Sequence, residues 1–270
     1  MGFVLRRDDI VHVDDFHQEL GDDPRKAARL IVEAARQGEL EAQALLGQIL
    51  LDGQGIERDP ALAATWFGIA AQRGHSMARN MLGRCLEHGW GVPVNLAAAA
   101  EQYALAAADD LDWALYNLAN LLATGRGAPK DPAHALALYM RAADLGHAKS
   151  MNLVGRHFEE GLCVSRDLDQ AREWYRRSAE AGDFRGQFSH AAMLAEAGEL
   201  EAALDWLRRA LEGGNLKFLR VARGQLEQAR QAPLRQMALE YYRRAADLGD
   251  ANDIEILAKA LKRLAFSSIE

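Results

Sequence analysis

With 270 residues and 32 basic against 39 acidic side chains, the chain carries a net charge of −7. No lysine-rich or arginine-rich block stands out, which argues against nucleic-acid phosphates or an anionic membrane as its main partner. Two cysteines, Cys85 and Cys163, are too few for a disulfide-stapled secreted fold. No window approaches the roughly 18 apolar residues of a membrane span, and residues 1–9 lack the apolar core of a secretory signal, so the expected compartment is the cytoplasm.

Residues 1–21 match nothing that follows and read as an irregular lead-in or cap. From residue 22 a period takes over: Gly53, Gly89, Gly125 and Gly161 stand 36 residues apart. Ala27, Ala63, Ala99, Ala135 and Ala171 keep the same period. Four residues after each stands Ile31, Phe67, Tyr103, Tyr139 or Tyr175, and three further on Ala34, Ala70, Ala106, Ala142 or Ser178. Spacings of four and three put these side chains on one helical face. Ahead of that face, Asp23, Asp59, Asn95, Asp131 and Asp167 read as N-caps, short acceptors for an orphan backbone N–H. Pro24, Pro60 and Pro132 follow at the first helical position, where a missing N–H costs nothing. Gly38, Gly74, Gly146, Gly182, Gly214 and Gly249 are expected to end the same helix in the left-handed region, with Asp110 replacing glycine in that column.

Each unit is therefore a first helix such as 40–52, a Gly-x-Gly turn, and a second helix such as 60–73. In the first helices Gly47, Gly83, Ala119, Gly155 and Ala191 form a small column that lets helix axes approach, with Phe67, Tyr103 and Tyr175 filling the gaps. The fifth unit is shorter, 32 residues from Ser178 to Ala210, and Ala197-Gly198 replaces its Gly-x-Gly element. The sixth keeps Ala238, Tyr242, Ala245, Ala246 and Gly249, behind a basic first helix over 216–231 that carries Lys217, Arg220, Arg223 and Arg230. Residues 251–270 read as a closing amphipathic helix that covers the last apolar face. The expected fold is all-α: a repeat array over 22–250, its last two repeats degenerate, ending in a capping helix. Neither helix of a hairpin buries its apolar face alone, so the hairpins must stack.

The segments Ala44-Leu45-Leu46-Gly47, Asp52-Gly53-Gln54-Gly55-Ile56, Asp59-Pro60-Ala61-Leu62-Ala63 and Trp66-Phe67-Gly68-Ile69-Ala70-Ala71-Gln72-Arg73-Gly74 resemble the Sel-one-like repeat, a relative of the tetratricopeptide repeat. The resemblance covers 22–183 strongly and extends more weakly to 250. It implies a right-handed α-solenoid whose first helices line a concave groove, a scaffold or adaptor for a protein or peptide partner. Cysteine-rich members have been described as acting on β-lactams, and this chain, with two unpaired cysteines, departs from them. A protein that neutralises a toxin or enzyme partner through the same surfaces is the alternative.

Catalytic motifs do not assemble. Gly53-Gln54-Gly55, Gly89-Trp90-Gly91 and Gly125-Arg126-Gly127 follow helices rather than strands and lack the third glycine of a dinucleotide loop, so they read as structural turns. Cys163 occupies the column of Gly55, Gly91 and Gly127, which questions the turn geometry there. His75, His88, His147, His157 and His190 show no metal-ligand spacing, so neither metal nor cofactor is expected and the protein reads as a non-enzyme. The rows that remain lie on the unpacked face of the first helices. They include Asn80, Asn117, Asn120 and Asn152, whose amides suit the backbone of an extended ligand. Arg84 and Arg156 suit carboxylates, while Trp113, Tyr116 and Phe188 suit anchoring. The same rows also fit a solvated surface whose aromatics complete the core, and the sequence leaves both readings open.

Overall fold

In a computed structural model, which describes residues 23–267, the described chain forms fourteen α-helices and no strand. It divides into two compact units, one up to Ala142 and one from Ala143. Unit 1 holds α1 (Pro24–Arg36), α2 (Leu40–Asp52), α3 (Pro60–Gln72), α4 (Ser76–His88), α5 (Leu96–Ala107) and α6 (Asp112–Thr124), and the division falls within α7 (Pro132–Asp144). Unit 2 holds α8 (Ala148–Glu160), α9 (Leu168–Glu180), α10 (Phe184–Glu196), α11 (Leu200–Gly213), α12 (Leu216–Glu227), α13 (Ala232–Leu248) and α14 (Ala251–Ser267). The lead-in expected at 1–21 lies outside the described residues.

The expected caps are formed. Asp23, Asp59, Asn95, Asp131 and Asp167 accept the backbone N–H three residues on, at 3.0 to 3.1 Å. Gly53, Gly89, Gly125 and Gly161 close the first helices with φ between 68° and 74°. Asp110 and Cys163 adopt the same left-handed region, at φ 57° and 63°, so each turn keeps its geometry without glycine. Two expected caps differ. Gly214 has φ −71° and ψ 130°, and Gly249 has φ −100°, so neither is left-handed. Here glycine answers to space: a Cβ on Gly214 would stand 2.7 Å from the Ala210 carbonyl oxygen, and one on Gly249 would stand 2.6 Å from that of Ala245.

The small column sets the packing of each hairpin. A Cβ on Gly47 would lie 2.7 Å from the Phe67 ring, one on Gly83 2.6 Å from Tyr103, and one on Gly155 2.7 Å from Tyr175. The flanking alanines Ala63, Ala70, Ala99, Ala106 and Ala171 are fully buried, so each second helix lies flush on its partner. The basic first helix of the last hairpin also has a structural explanation. Arg220 and Arg223 bond the carboxylate of Asp253, which is fully buried at the start of α14.

Candidate interaction surface

In unit 1 the expected face is built on α4 and α6. Asn80 is buried, and its Oδ1 accepts from Asn117 Nδ2 at 2.9 Å, so the two amides tie neighbouring first helices together. Asn120 Oδ1 accepts from the Tyr139 hydroxyl at 2.7 Å. Tyr139 lies 6.2 Å from the Tyr116 ring, which meets Trp113 edge-on at 6.3 Å. Trp113 ends this ladder with 41 % of its surface exposed. Arg84 is turned aside: its guanidinium lies 4.8 Å over the Trp90 ring and 3.7 Å from the Met81 sulfur.

Sequence reading passed over one residue on this face as a candidate. Met77 stands one repeat before Trp113 in the same column, and it too is 41 % exposed. The signal was the column itself, two large apolar side chains left bare at one position of successive first helices. In unit 2 the predicted residues are less uniform. Arg156 is exposed and pairs with Glu160 at 2.8 Å. Asn152 has a buried Oδ1 that receives no hydrogen bond from the protein. Phe188 packs edge-on against Phe218 at 5.6 Å and Tyr241 at 6.3 Å, completing the core of that unit.

Two histidines have a role that composition did not suggest. His75 and His147 are the caps of α4 and α8, and their Nδ1 atoms accept the N–H of Ala78 at 3.0 Å and of Ser150 at 3.3 Å. Burial pushes the Cys85 thiol up to about 11, which keeps it protonated and a poor nucleophile. The second glycine of each turn is packed against backbone: a Cβ on Gly91 would stand 2.1 Å from the Pro60 carbonyl oxygen and one on Gly127 2.2 Å from that of Leu96. Among the described residues no three His, Cys, Asp or Glu side chains gather where they would hold a metal. No described helix is long and apolar enough to cross a membrane.

The sequence model of the Sel1 repeat matches residues 40–75, 76–110, 114–147, 148–183, 199–215 and 233–250. Among curated proteins none matches the chain. Among solved structures, a Sel1 repeat protein from Oxalobacter formigenes is similar, with a TM-score of 0.75, 24 % identity, and 87 % of this chain and 99 % of that one covered. The c5321 protein, a protective antigen of uropathogenic Escherichia coli with an SLR fold, gives 0.66 at 25 % identity over 92 % of this chain and 56 % of that one. This chain thus spans little more than half of that antigen. Immunity protein Pa5087 from Pseudomonas aeruginosa gives 0.51 at 15 % identity, covering 84 % of this chain and 82 % of its own.

Proposed function

Because the chain belongs to the Sel1 repeat family, we propose that it is a non-catalytic module that takes a protein or peptide partner on the first-helix face of unit 1. The observation that carries this reading is the pair Met77 and Trp113, exposed in one column beside a row of amides held in place by Asn80, Asn117 and Asn120. A fixed polar row beside large apolar side chains suits a ligand that lays backbone on the half-buried amides of Asn117 and Asn120, which the buried Asn80 and Tyr139 hold in place, and apolar groups on Met77 and Trp113. Such a pre-ordered face loses little side-chain entropy on binding. With one thiol buried and one exposed, neither in a disulfide, the reading places the module in the cytoplasm.

Affinity capture from the native host tests it. Replacing Met77 and Trp113 together by alanine is expected to lower recovery of the partner at least about tenfold while thermal stability holds. Undiminished recovery overturns the site. The likeness to Pa5087, an immunity protein, motivates a second reading in which the captured partner is a toxin or enzyme and binding silences it. The two readings separate by assaying that partner with and without one equivalent of this chain.

A further inference from the structure

Seven first helices begin at caps in one register: Glu39, His75, Leu111, His147, Asp183, Asn215 and Asp250. In six of the seven the eighth residue after the cap is small, and the second helix seats its bulky side chain there, as at Gly47 under Phe67, Gly83 under Tyr103 and Gly155 under Tyr175; the exception is Arg223, whose guanidinium lies against the Tyr242 ring. The fourth and eleventh residues flank that seat. At the fourth position Gln43, Leu115, Met151, Gln187 and Leu219 are at most 9 % exposed and Arg79 is half-buried; at the eleventh Leu50, Leu122 and Leu226 are exposed by 8 % or less and Leu86, Phe158 and Leu194 are half-buried. In α14 the same three positions are Ile254, Ala258 and Leu261. All three are exposed, Ile254 at 59 % and Leu261 at 42 %. The closing helix was expected to cover the last apolar face, and through Asp253, Ile256, Leu257 and Ala260 it does, but its own hairpin face is bare among the described residues.

We propose that this flank of α14 docks a helix of another protein, one bearing an aromatic side chain with small residues four positions before and three after. The chain itself shows what fits. Wherever this face is covered in the regular hairpins, the cover has that pattern: Ala63, Phe67 and Ala70, or Ala99, Tyr103 and Ala106. A second copy of α14 is a poor cover, because Ala258 against Ala258 brings no bulky group to fill the seat, and an unfilled seat forfeits its packing contacts. The twelfth position refines the partner. Tyr103, Tyr175 and Tyr242 donate their hydroxyls to Glu87, Glu159 and Glu227 there, at 2.9, 2.5 and 2.7 Å, whereas α14 carries Lys262. A lysine is a donor only, so the incoming aromatic is a phenylalanine, or a tyrosine whose hydroxyl accepts.

A synthetic peptide of residues 95–110, blocked at both ends and added to the full chain, serves as probe. Saturable binding is expected, weakened at least tenfold by Ala258→Leu or Ile254→Asp in the chain and by Tyr103→Ala in the peptide. Lys262→Glu, which restores the acceptor found in three other hairpins, is expected to tighten it severalfold. The substituted residues are exposed, so circular dichroism should be unchanged in each variant. No saturable binding, or binding indifferent to Ala258→Leu and Ile254→Asp, overturns the proposal. So does a dimer of the chain that Ile254→Asp dissociates, since a second copy would then occupy the face.

Discussion

A Cβ on Gly83 would stand 2.6 Å from the Tyr103 ring, yet the same column tolerates alanine at Ala119. The difference lies in where the tyrosine hydroxyl is held. Tyr103 and Tyr175, opposite glycines, reach Glu87 and Glu159, while Tyr139, opposite Ala119, reaches Asn120 instead. Gly83→Ala gains about 1 kcal/mol of helix propensity but forces the ring from its carboxylate, an overpacking cost of about 1–3 kcal/mol. The expected net effect in urea unfolding is a loss of about 1 kcal/mol. His190 offers a second case. It stands in the column of Leu46, Leu82, Leu118 and Val154, only 7 % exposed, edge-on to Trp206 at 5.5 Å, with an Nδ1 that receives no protein hydrogen bond. Burial lowers its pKa, so the unfolded chain binds the proton first. The stability this side chain contributes is therefore complete above pH ~6.5 and falls as pH drops through the lower folded value, by at most about 1.4 kcal/mol per unit. His190→Leu should remove that slope between pH 7 and 5 and raise stability at every pH, as thermal melts across the range would show. A slope that survives the substitution would place its origin elsewhere.

At the scale of the element, caps and turns were legible because they are local. A short acceptor before a proline, or a glycine after a helix, acts on its own neighbours, so Asp59, Pro60 and Gly53 could be placed from sequence register alone. Gly214 and Gly249 could not, since their backbone follows from contacts with Ala210, Phe218, Ala245 and Asp253, which register does not encode. The candidate face was legible in part for the same reason. The asparagine row kept its column, but whether Phe188 turns outward or joins Phe218 and Tyr241 depends on the degenerate hairpin beside it, and it joins them. His75 and His147 escaped notice as caps because imidazole is an unusual acceptor there, although their repeat-to-repeat spacing was available. Left-handed residues give a paired prediction. Cys163→Gly releases the strain of φ 63° and should stabilise by about 1 kcal/mol in chemical denaturation. Asp110→Gly releases similar strain but also loses the 2.6 Å pair with Arg141, and its effect should be close to zero. Equal gains from both would mean that the surface pair contributes nothing.

Across the whole molecule, repeat units are stabilised by their neighbours, and a unit at the end of a stack has one neighbour fewer. Among the described residues α14 packs chiefly on α13, and that fastening decides how readily it opens. The fastening is apolar through Ile256, Leu257 and Ala260, with an electrostatic clasp at its start. Asp253 is fully buried and bonded by Arg220 and Arg223, while Arg223 also lies 5.1 Å over the Tyr242 ring. The guanidinium of Arg220, chiefly, holds the Asp253 carboxyl down to about 2. Its contribution is thus complete above the ordinary aspartate value of about 3.9 and is lost as pH falls toward 2, outside the range in which His190 acts. Removing the carboxylate strips the buried Arg223 of its partner, whereas Arg220, more than a third exposed, keeps Asp250, so the expected loss falls below the ~3–5 kcal/mol of a fully buried pair. Because the loss is confined to one end, it should appear as local rather than global unfolding. In Asp253→Ala, amides of α12 and α14 are expected to exchange with solvent far faster, while those of α8, α9 and α10 keep their protection. Uniformly faster exchange throughout unit 2 would show instead that its hairpins open as a single cooperative block, in which case the carboxylate supports the unit as a whole and not its last helix.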